Sequence, residues 1–532
     1  MKKLLRLFAA ALVLTVGLWS TGCDKKEEKK AEFKSAPSGT LRLALDADPK
    51  TIDIQEQLSG GMLQFSHWAF DPLVRWSQDM TFEPRLATSW KRIDDLTMRF
   101  KLRKGVKFHS GNPFTAKDVV FTVKRFRNSA DFKGLFEPFE DPVIVDDYTV
   151  DFKTKKPYPL MLNMITYVFP LDSKFYSGKD DEGRPKDAVV KVGYSFAKNN
   201  VSGTGPFKLV EREHGVKLVM ERFADYWDTN SPGNVQKFIL TPIKSGATRL
   251  ASLLSGDVDF IMPAEPQDFK RLKENPNVNL FTYTGGRIIT VQMNQKRNEA
   301  LRNKKVRQAI VYAVNNAGIE EKIMKGTATP AGQMSPKGYQ GYKPSLAPRY
   351  DLEKAKQLMK EAGYADGFEA SMIAPNNRYI NDEKIAETFA AMLSKIGIKV
   401  NLKTMPKAQY WDEFDRQPAD FQMIGWHSDT EDSGNFYEFL SMCPNKKTGY
   451  GQYNSGNYCN KKVDQLTLAA QTETDIAKRV SILQEIEQIM YDEAAYVPFH
   501  WQNHSYAARK GLDVAAIINT MNFPYIGDLV MK

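Results

Sequence analysis

The stretch Gly425-Trp-His-Ser-Asp-Thr-Glu-Asp-Ser-Gly-Asn-Phe436 gathers three carboxylates, Asp429, Glu431 and Asp432, among Trp426, His427 and Phe436. Side chains of these types could bind a metal, activate a water or neutralise a positive charge on a ligand. Six histidines are available to share in such chemistry: His67, His109, His214, His427, His500 and His504. His500 and His504 stand four apart, a spacing that suits one metal on a helix face. They follow Val497-Pro498-Phe499 in an extended run with no adjacent acid, so they read as polar edges of an aromatic strand, and no metal site is expected. There is no G-x-S-x-G elbow, H-E-x-x-H pair or Walker-type glycine loop. Gly203-Thr-Gly205-Pro206 reads as a turn, because Pro206 lacks the N–H that a phosphate cradle would use. No catalytic constellation and no cofactor follow from these residues, and an enzyme is not expected.

The elements that must position the carboxylates change character along the chain. Leu41, Leu43 and Leu45 alternate with Arg42 and Ala44, and Thr97–Leu102 and Thr149–Phe152 alternate as well, the period of a half-buried strand. Lys217–Met220 lie in a further strand candidate. In the second half Leu352, Ala355, Leu358, Met359 and Ala362 keep helical spacing between Asp351, a possible N-cap, and Gly363, a stop. Ile385, Phe389, Met392, Leu393 and Ile396 repeat that pattern up to Gly397, and Ile398, Val400 and Leu402 then alternate. Helix, glycine and strand in succession are the unit of a layered α/β domain. Val480, Leu483, Ile486 and Met490 line another helix before a strand from Tyr496 to Phe499.

The N-terminus gives an address. Met1–Arg6 is basic and Leu7–Trp19 is apolar and uncharged; this run is shorter than the ~20 residues of a membrane span and fits the core of a secretory signal. Ser20-Thr-Gly-Cys23 resembles a bacterial lipobox, with Ser20 where that motif usually has leucine. The expectation is a signal peptide over 1–22, a lipidated Cys23 as first mature residue, and a charged tether over 23–38. Asp24 after the cysteine resembles an inner-membrane retention signal. The formal charge of +10 is scattered rather than gathered into a stripe, which argues against nucleic acid. Outside the cytoplasm Cys443 and Cys459 are expected to form a structural disulfide.

Several stretches together resemble the family 5 solute-binding proteins, the peptide/nickel-type receptors of ABC importers. Ala87-Thr-Ser-Trp90 and Met98–Arg125 come first, Gly203–Phe207 and Glu221–Trp227 second. Thr248–Phe260, Asn303–Asn315 and Leu393–Leu402 follow in the family's order. The resemblance implies a two-lobed, type II periplasmic-binding-protein-like α/β fold with a hinged cleft and an extra N-terminal subdomain. Lobe I would comprise 39–75, 205–289 and 505–532, the extra subdomain 76–204, and lobe II 290–504. It also implies a monomeric receptor on the periplasmic or outer face of the membrane, held there by its lipid, delivering peptides to an ABC permease.

In peptide-binding relatives a W-x-x-D stretch before D-P-x-N-F lies in the cleft, and its aspartate pairs with the peptide's ammonium. Trp426-His-Ser-Asp429 and Asp432-Ser-Gly-Asn-Phe436 match it, with Ser433 in place of the proline. The resemblance thus implies ligand contacts at Gly425, Trp426 and Asp429. It also implies a basic contact at Arg378 and a small-residue turn at Ser59-Gly60-Gly61 that lets ligand backbone approach. Alternatives are a nickel-chelate or haem receptor using His427 or His500/His504, and, from another class, a secreted hydrolase or chaperone.

Overall fold

The computed structural model describes residues 39–428 and 430–532. The signal segment, the tether with Cys23, and Asp429 lie outside the described residues.

The chain opens with β1 (Thr40–Leu45), the hairpin β2 (Val74–Trp76) and β3 (Phe82–Pro84), and the strands β4 (Ala87–Arg92), β5 (Thr97–Leu102), β6 (Val143–Asp146) and β7 (Thr149–Lys153). It continues through β8 (Phe207–Glu213), β9 (Lys217–Arg222), β10 (Lys237–Pro242), β11 (Phe260–Met262) and the long β12 (Val278–Met293). The later strands are β13 (Ala328–Pro330), β14 (Phe368–Pro375), β15 (Ile398–Met405), β16 (Phe421–Trp426) and β17 (Tyr496–Arg509). Strands β4, β5, β7 and β6 make a separate four-stranded antiparallel sheet. The helix Ala116–Phe126 packs on it and starts at a reciprocal Thr115/Asp118 capping box.

An eleven-stranded mixed sheet forms the backbone of the molecule, in the order β15-β14-β16-β12-β17-β11-β1-β10-β9-β8, with β13 on β17. Its two ends differ. At one end β1 runs parallel to β10 and β11, and an antiparallel meander through β9 and β8 follows. At the other, β14 runs parallel to β15 and β16, which requires helical crossovers. Asp382–Ser394, followed by left-handed Gly397, connects β14 to β15, and Lys407–Arg416 lies between β15 and β16; Leu352–Glu361, capped by Asp351 and followed by left-handed Gly363, leads into β14.

The 16-residue β12 and the 14-residue β17 pair antiparallel and belong to both ends. At about 3.4 Å per residue each is long enough to run through the middle of the molecule. Their ladder breaks twice, between Thr284 and Ile288 and between Ile289 and Thr290. The second break falls where Pro498, which has no N–H to donate, enters the strand. His500 and His504 both lie on β17, in the extended backbone read from the sequence; that strand is much longer than the Tyr496–Phe499 stretch expected.

Candidate ligand-binding site

The carboxylate-rich stretch begins where β16 ends. Gly425 and Trp426 pair with Ile289 and Ile288 of β12, which fixes them beside the first ladder break. The chain then turns into the helix Ser433–Leu440, whose N-cap is Asp432: its Oδ1 accepts the Gly434 N–H at 2.8 Å. The same carboxylate receives two hydrogen bonds of 2.7 Å from the Arg479 guanidinium, and both side chains are buried. Ser428 Oγ donates to the Asp432 carbonyl and accepts its N–H. Glu431, in left-handed backbone (φ 50°) and buried, accepts a 3.0 Å hydrogen bond from Tyr167 Oη, and Asn163 Nδ2 donates to the Thr430 carbonyl at 2.9 Å. Asp432 is therefore a buried cap with its counter-ion, and Glu431 joins the loop to the 161–167 region.

Trp426 donates its Nε1–H to Asn435 Oδ1 at 2.7 Å and packs its ring against Phe439 and Tyr453. Tyr453 comes from the segment between Cys443 and Cys459, whose sulfurs lie 2.07 Å apart.

Arg378 stands in a loop before the helix Asp382–Ser394. Asp382 Oδ2 accepts the backbone N–H groups of Arg378 and Tyr379 at 2.8 and 2.9 Å, so this loop is shaped by its own acid. The Gly425 N–H donates to Tyr379 Oη at 2.8 Å. A Cβ at Gly425 would sit 2.6 Å from a Tyr379 ring carbon, so the glycine is required by this ring. The Arg378 guanidinium lies over the Tyr379 ring, 5.1 Å from its centroid, and pairs with no acid among the described residues.

Arg378, Gly425 and Trp426 line one cavity of about 420 Å³, together with Arg287, Trp411 and Tyr453. His427 lines it too. Burial, then the charges of Arg287 and His504, push the His427 imidazole down to about 3; burial pushes His504 to about 4. Both rings are neutral at pH 7. Trp411 and Asp415, four apart on the helix Lys407–Arg416, present one face to the cavity.

Ser59 and Gly60 are placed elsewhere. With Gly61 they line a second cavity of about 610 Å³, which also takes Asp46, Glu265 and His504. Ile380, two residues beyond Arg378, borders it. The expected small-residue turn is corrected here: Ser59 is the N-cap and Gly60 and Gly61 the first residues of the helix Gly60–Ala69. A Cβ on either glycine would meet nothing within 4 Å, so no packing inside the protein requires a glycine at either position.

Sequence reasoning missed Arg287, Trp411 and Tyr453. For Arg287 a signal was present, since Gly285-Gly286 inside a strand-like run marks a bulge. Among the described residues no cluster of three or more His, Cys, Asp or Glu could hold a metal, and no helix is long and apolar enough to cross a membrane.

The model of the middle region of the bacterial extracellular solute-binding proteins, family 5, matches residues 81–448, well over half of the chain. The chain belongs to this family. As a family 5 protein it is a member of a group of transport receptors rather than of an enzyme class. It is 29% identical over 442 residues to the dipeptide-binding protein of Escherichia coli strain K12, covering 77% of this chain and 79% of that one. It is 29% identical over 528 residues to heme-binding protein A of Haemophilus influenzae, covering 94% and 93%. Among solved structures, HbpA2 of Haemophilus parasuis superposes with a TM-score of 0.81 at 24% identity, covering 93% of this chain and 100% of that one. The family 5 fold thus accounts for the mixed sheet and for the two strands that run through it.

Proposed function

We propose that this protein is a lipid-anchored receptor that captures short peptides in a cleft between two lobes and delivers them to an ABC permease. The observation that carries the reading is the convergence of Arg378 with the Gly425-Trp426 pair, which is distant from it in sequence, on one cavity. Arg378 supplies a guanidinium for a peptide's carboxylate, and Asp429, three residues beyond Trp426, supplies a carboxylate for its ammonium. Capture removes water from the ammonium, and a fixed anion must replace that hydration. The lobes would be 39–75 with 205–289 and 505–532, and 290–504, hinged on β12 and β17, with 76–204 as the extra subdomain of the first. A relative named as a dipeptide-binding protein supports the peptide reading. Two arginines around His427 disfavour a bare metal cation there, which sets peptide ahead of nickel.

The test is Asp429→Asn, which keeps shape and removes charge. Binding of a free peptide is expected to weaken by about 1.5–3 kcal/mol, the net value of a charge-assisted hydrogen bond. The N-acetylated form of the same peptide, lacking the ammonium, is expected to bind the wild type weakly and to lose little more. Calorimetry of both peptides on both proteins isolates the charge pair. Equal losses for the two peptides would assign Asp429 a structural role.

Anchoring is tested separately. Cys23→Ser is expected to release the protein from membranes, because a diacyl attachment supplies the two signals that stable association needs. Pelleting of the variant with salt-washed membranes would defeat the anchor. In an oxidising compartment the Cys443–Cys459 bridge, sixteen residues apart, is expected to stabilise by about 3 kcal/mol, read as a fall in urea midpoint on reduction. Two free thiols in the oxidised, denatured protein would rule the bridge out.

A further inference from the structure

The helix Lys407–Arg416 turns two neighbouring faces inward. Tyr410 and Phe414, four apart, are buried, and Tyr410 Oη donates to the Met423 carbonyl. Trp411 and Asp415 each come one residue later, about 100° round the helix, and line the aromatic cavity instead. Trp411 is half-buried at the edge of the core. Its ring meets Tyr410 and Phe414 edge-on, with centroids 5.5 and 5.4 Å away, so it is held in place from the protein side.

Trp426 and Tyr453, also half-buried, line the same cavity as a second and separate group of rings. Their centroids lie 4.8 Å apart, and Phe439 backs Trp426 at 5.5 Å. The Tyr453 N–H donates to the Phe439 carbonyl at 3.0 Å, and the only polar side-chain atom of Trp426 is engaged by Asn435. What Trp426 offers a ligand is therefore ring surface. Among the described residues no ring contact joins Trp411 to Trp426 or to Tyr453, although all three line one cavity of about 420 Å³. Rings that share a cavity without closing on one another leave apolar surface against water, and a ligand ring removes it.

We propose that Trp411 is a specificity residue, and that with Trp426 and Tyr453 it selects peptides carrying an aromatic side chain. This inference rests on the peptide reading and adds the class of peptide. A peptide with its carboxylate on Arg378 has its side chains in the same cavity as these rings. An aromatic side chain there buries a large apolar area and meets its neighbours at the spacing that aromatic pairs favour, roughly 4.5–7 Å. Asp415 would instead favour a cationic side chain lying on Trp411. It is exposed, however, and an exposed ion pair contributes little, so the rings outweigh it.

The experiment measures Ala-Ala, Ala-Phe, Phe-Ala, Ala-Lys and Lys-Ala by calorimetry on the wild type, Trp411→Ala and Trp411→Phe. The wild type is expected to bind at least one phenylalanine peptide roughly tenfold or more tightly than Ala-Ala. Trp411→Ala is expected to cut that preference to about threefold or less. Ala-Ala is expected to stay within about twofold in the same variant, which shows that the site is intact. Trp411→Phe is expected to keep most of the preference, since a ring remains. Equal binding of Ala-Ala and both phenylalanine peptides by the wild type overturns the inference. So does a preference unchanged in Trp411→Ala, or an equal weakening of Ala-Ala and the phenylalanine peptides there. A lysine peptide bound more tightly than either phenylalanine peptide assigns the cavity to cations through Asp415 and overturns it as well. All of these outcomes leave the peptide reading standing. Binding of none of the five peptides by the wild type overturns the peptide reading, and this inference with it.

Discussion

Arg479→Met is expected to destabilise the protein by about 3–5 kcal/mol, the usual result of breaking a buried ion pair from one side, and to abolish ligand capture. Arg479 and Asp432 are 4% and 1% exposed and are joined by two hydrogen bonds of 2.7 Å. Removing the guanidinium leaves a carboxylate with neither water nor counter-ion. Arg479 also donates to the Ala470 carbonyl and to Gln340 Oε1, so two further acceptors lose their partner. The functional loss follows from position. Asp432 caps the helix Ser433–Leu440 and closes the loop that begins at Trp426, and a loop with an ionised, unpaired acid at its end has every reason to rearrange. The companion variant Asp432→Asn with Arg479→Met removes the stranded charge and is expected to recover a good part of the stability. Urea denaturation gives both numbers. A single variant within about 0.5 kcal/mol of wild type, the range of ordinary surface changes, would show that the pair contributes nothing.

Acidification from pH 7 to pH 4 is expected to remove several kcal/mol of stability, driven by histidines held neutral inside the protein. Burial pushes His109 to about 4, against the pull of its hydrogen bond to the Gly205 carbonyl, and burial alone pushes His500 to about 3. In the unfolded chain both titrate near 6.5. Below pH 6.5 the unfolded state therefore holds more protons than the native state, and stability falls as pH falls, by up to about 1.4 kcal/mol per pH unit for each group. The window closes near pH 4 for His109 and pH 3 for His500, where the native rings are themselves protonated. Both nitrogens of His500 lack a hydrogen-bond partner among the described residues, so His500→Leu is expected to be tolerated at pH 7 and to flatten the slope. Urea midpoints at pH 7, 6, 5 and 4 measure it. A midpoint that stays level to pH 4, or an unchanged slope in His500→Leu, would mean that these rings accept protons without unfolding.

The elements and the family were legible because both are written locally. Leu41 and Leu43 alternate with their neighbours, and both are buried in β1. Asp351 caps a helix, and Gly363 follows it in left-handed backbone, because a cap needs only a side chain and an N–H three residues away. The ordered landmarks from Ala87 to Leu402 carry the family for the same reason, since each is a short stretch with its own composition. The residues of the candidate site were legible in part. Gly425, Trp426 and Arg378 were named from the sequence and line one cavity. Ser59 and Gly60, named with them, line another, at the start of a helix rather than in a turn.

By itself, then, the sequence determined the strands and helices, the family, and some of the side chains that line the cavity, all of which are written within a few residues of chain. Tertiary structure alone decided what Glu431 and Asp432 of the opening stretch hold. Asp432 finds Arg479 47 residues on, and Glu431 finds Tyr167 264 residues back. It alone put Arg287 in the cavity, since the bulge is held by His427 and His504, which arrive on other strands and loops. Local periodicity specifies which face of an element is buried, but it does not specify which distant element comes to lie on that face. That choice is made when β12 and β17 run through the whole sheet and bring the distant segments together.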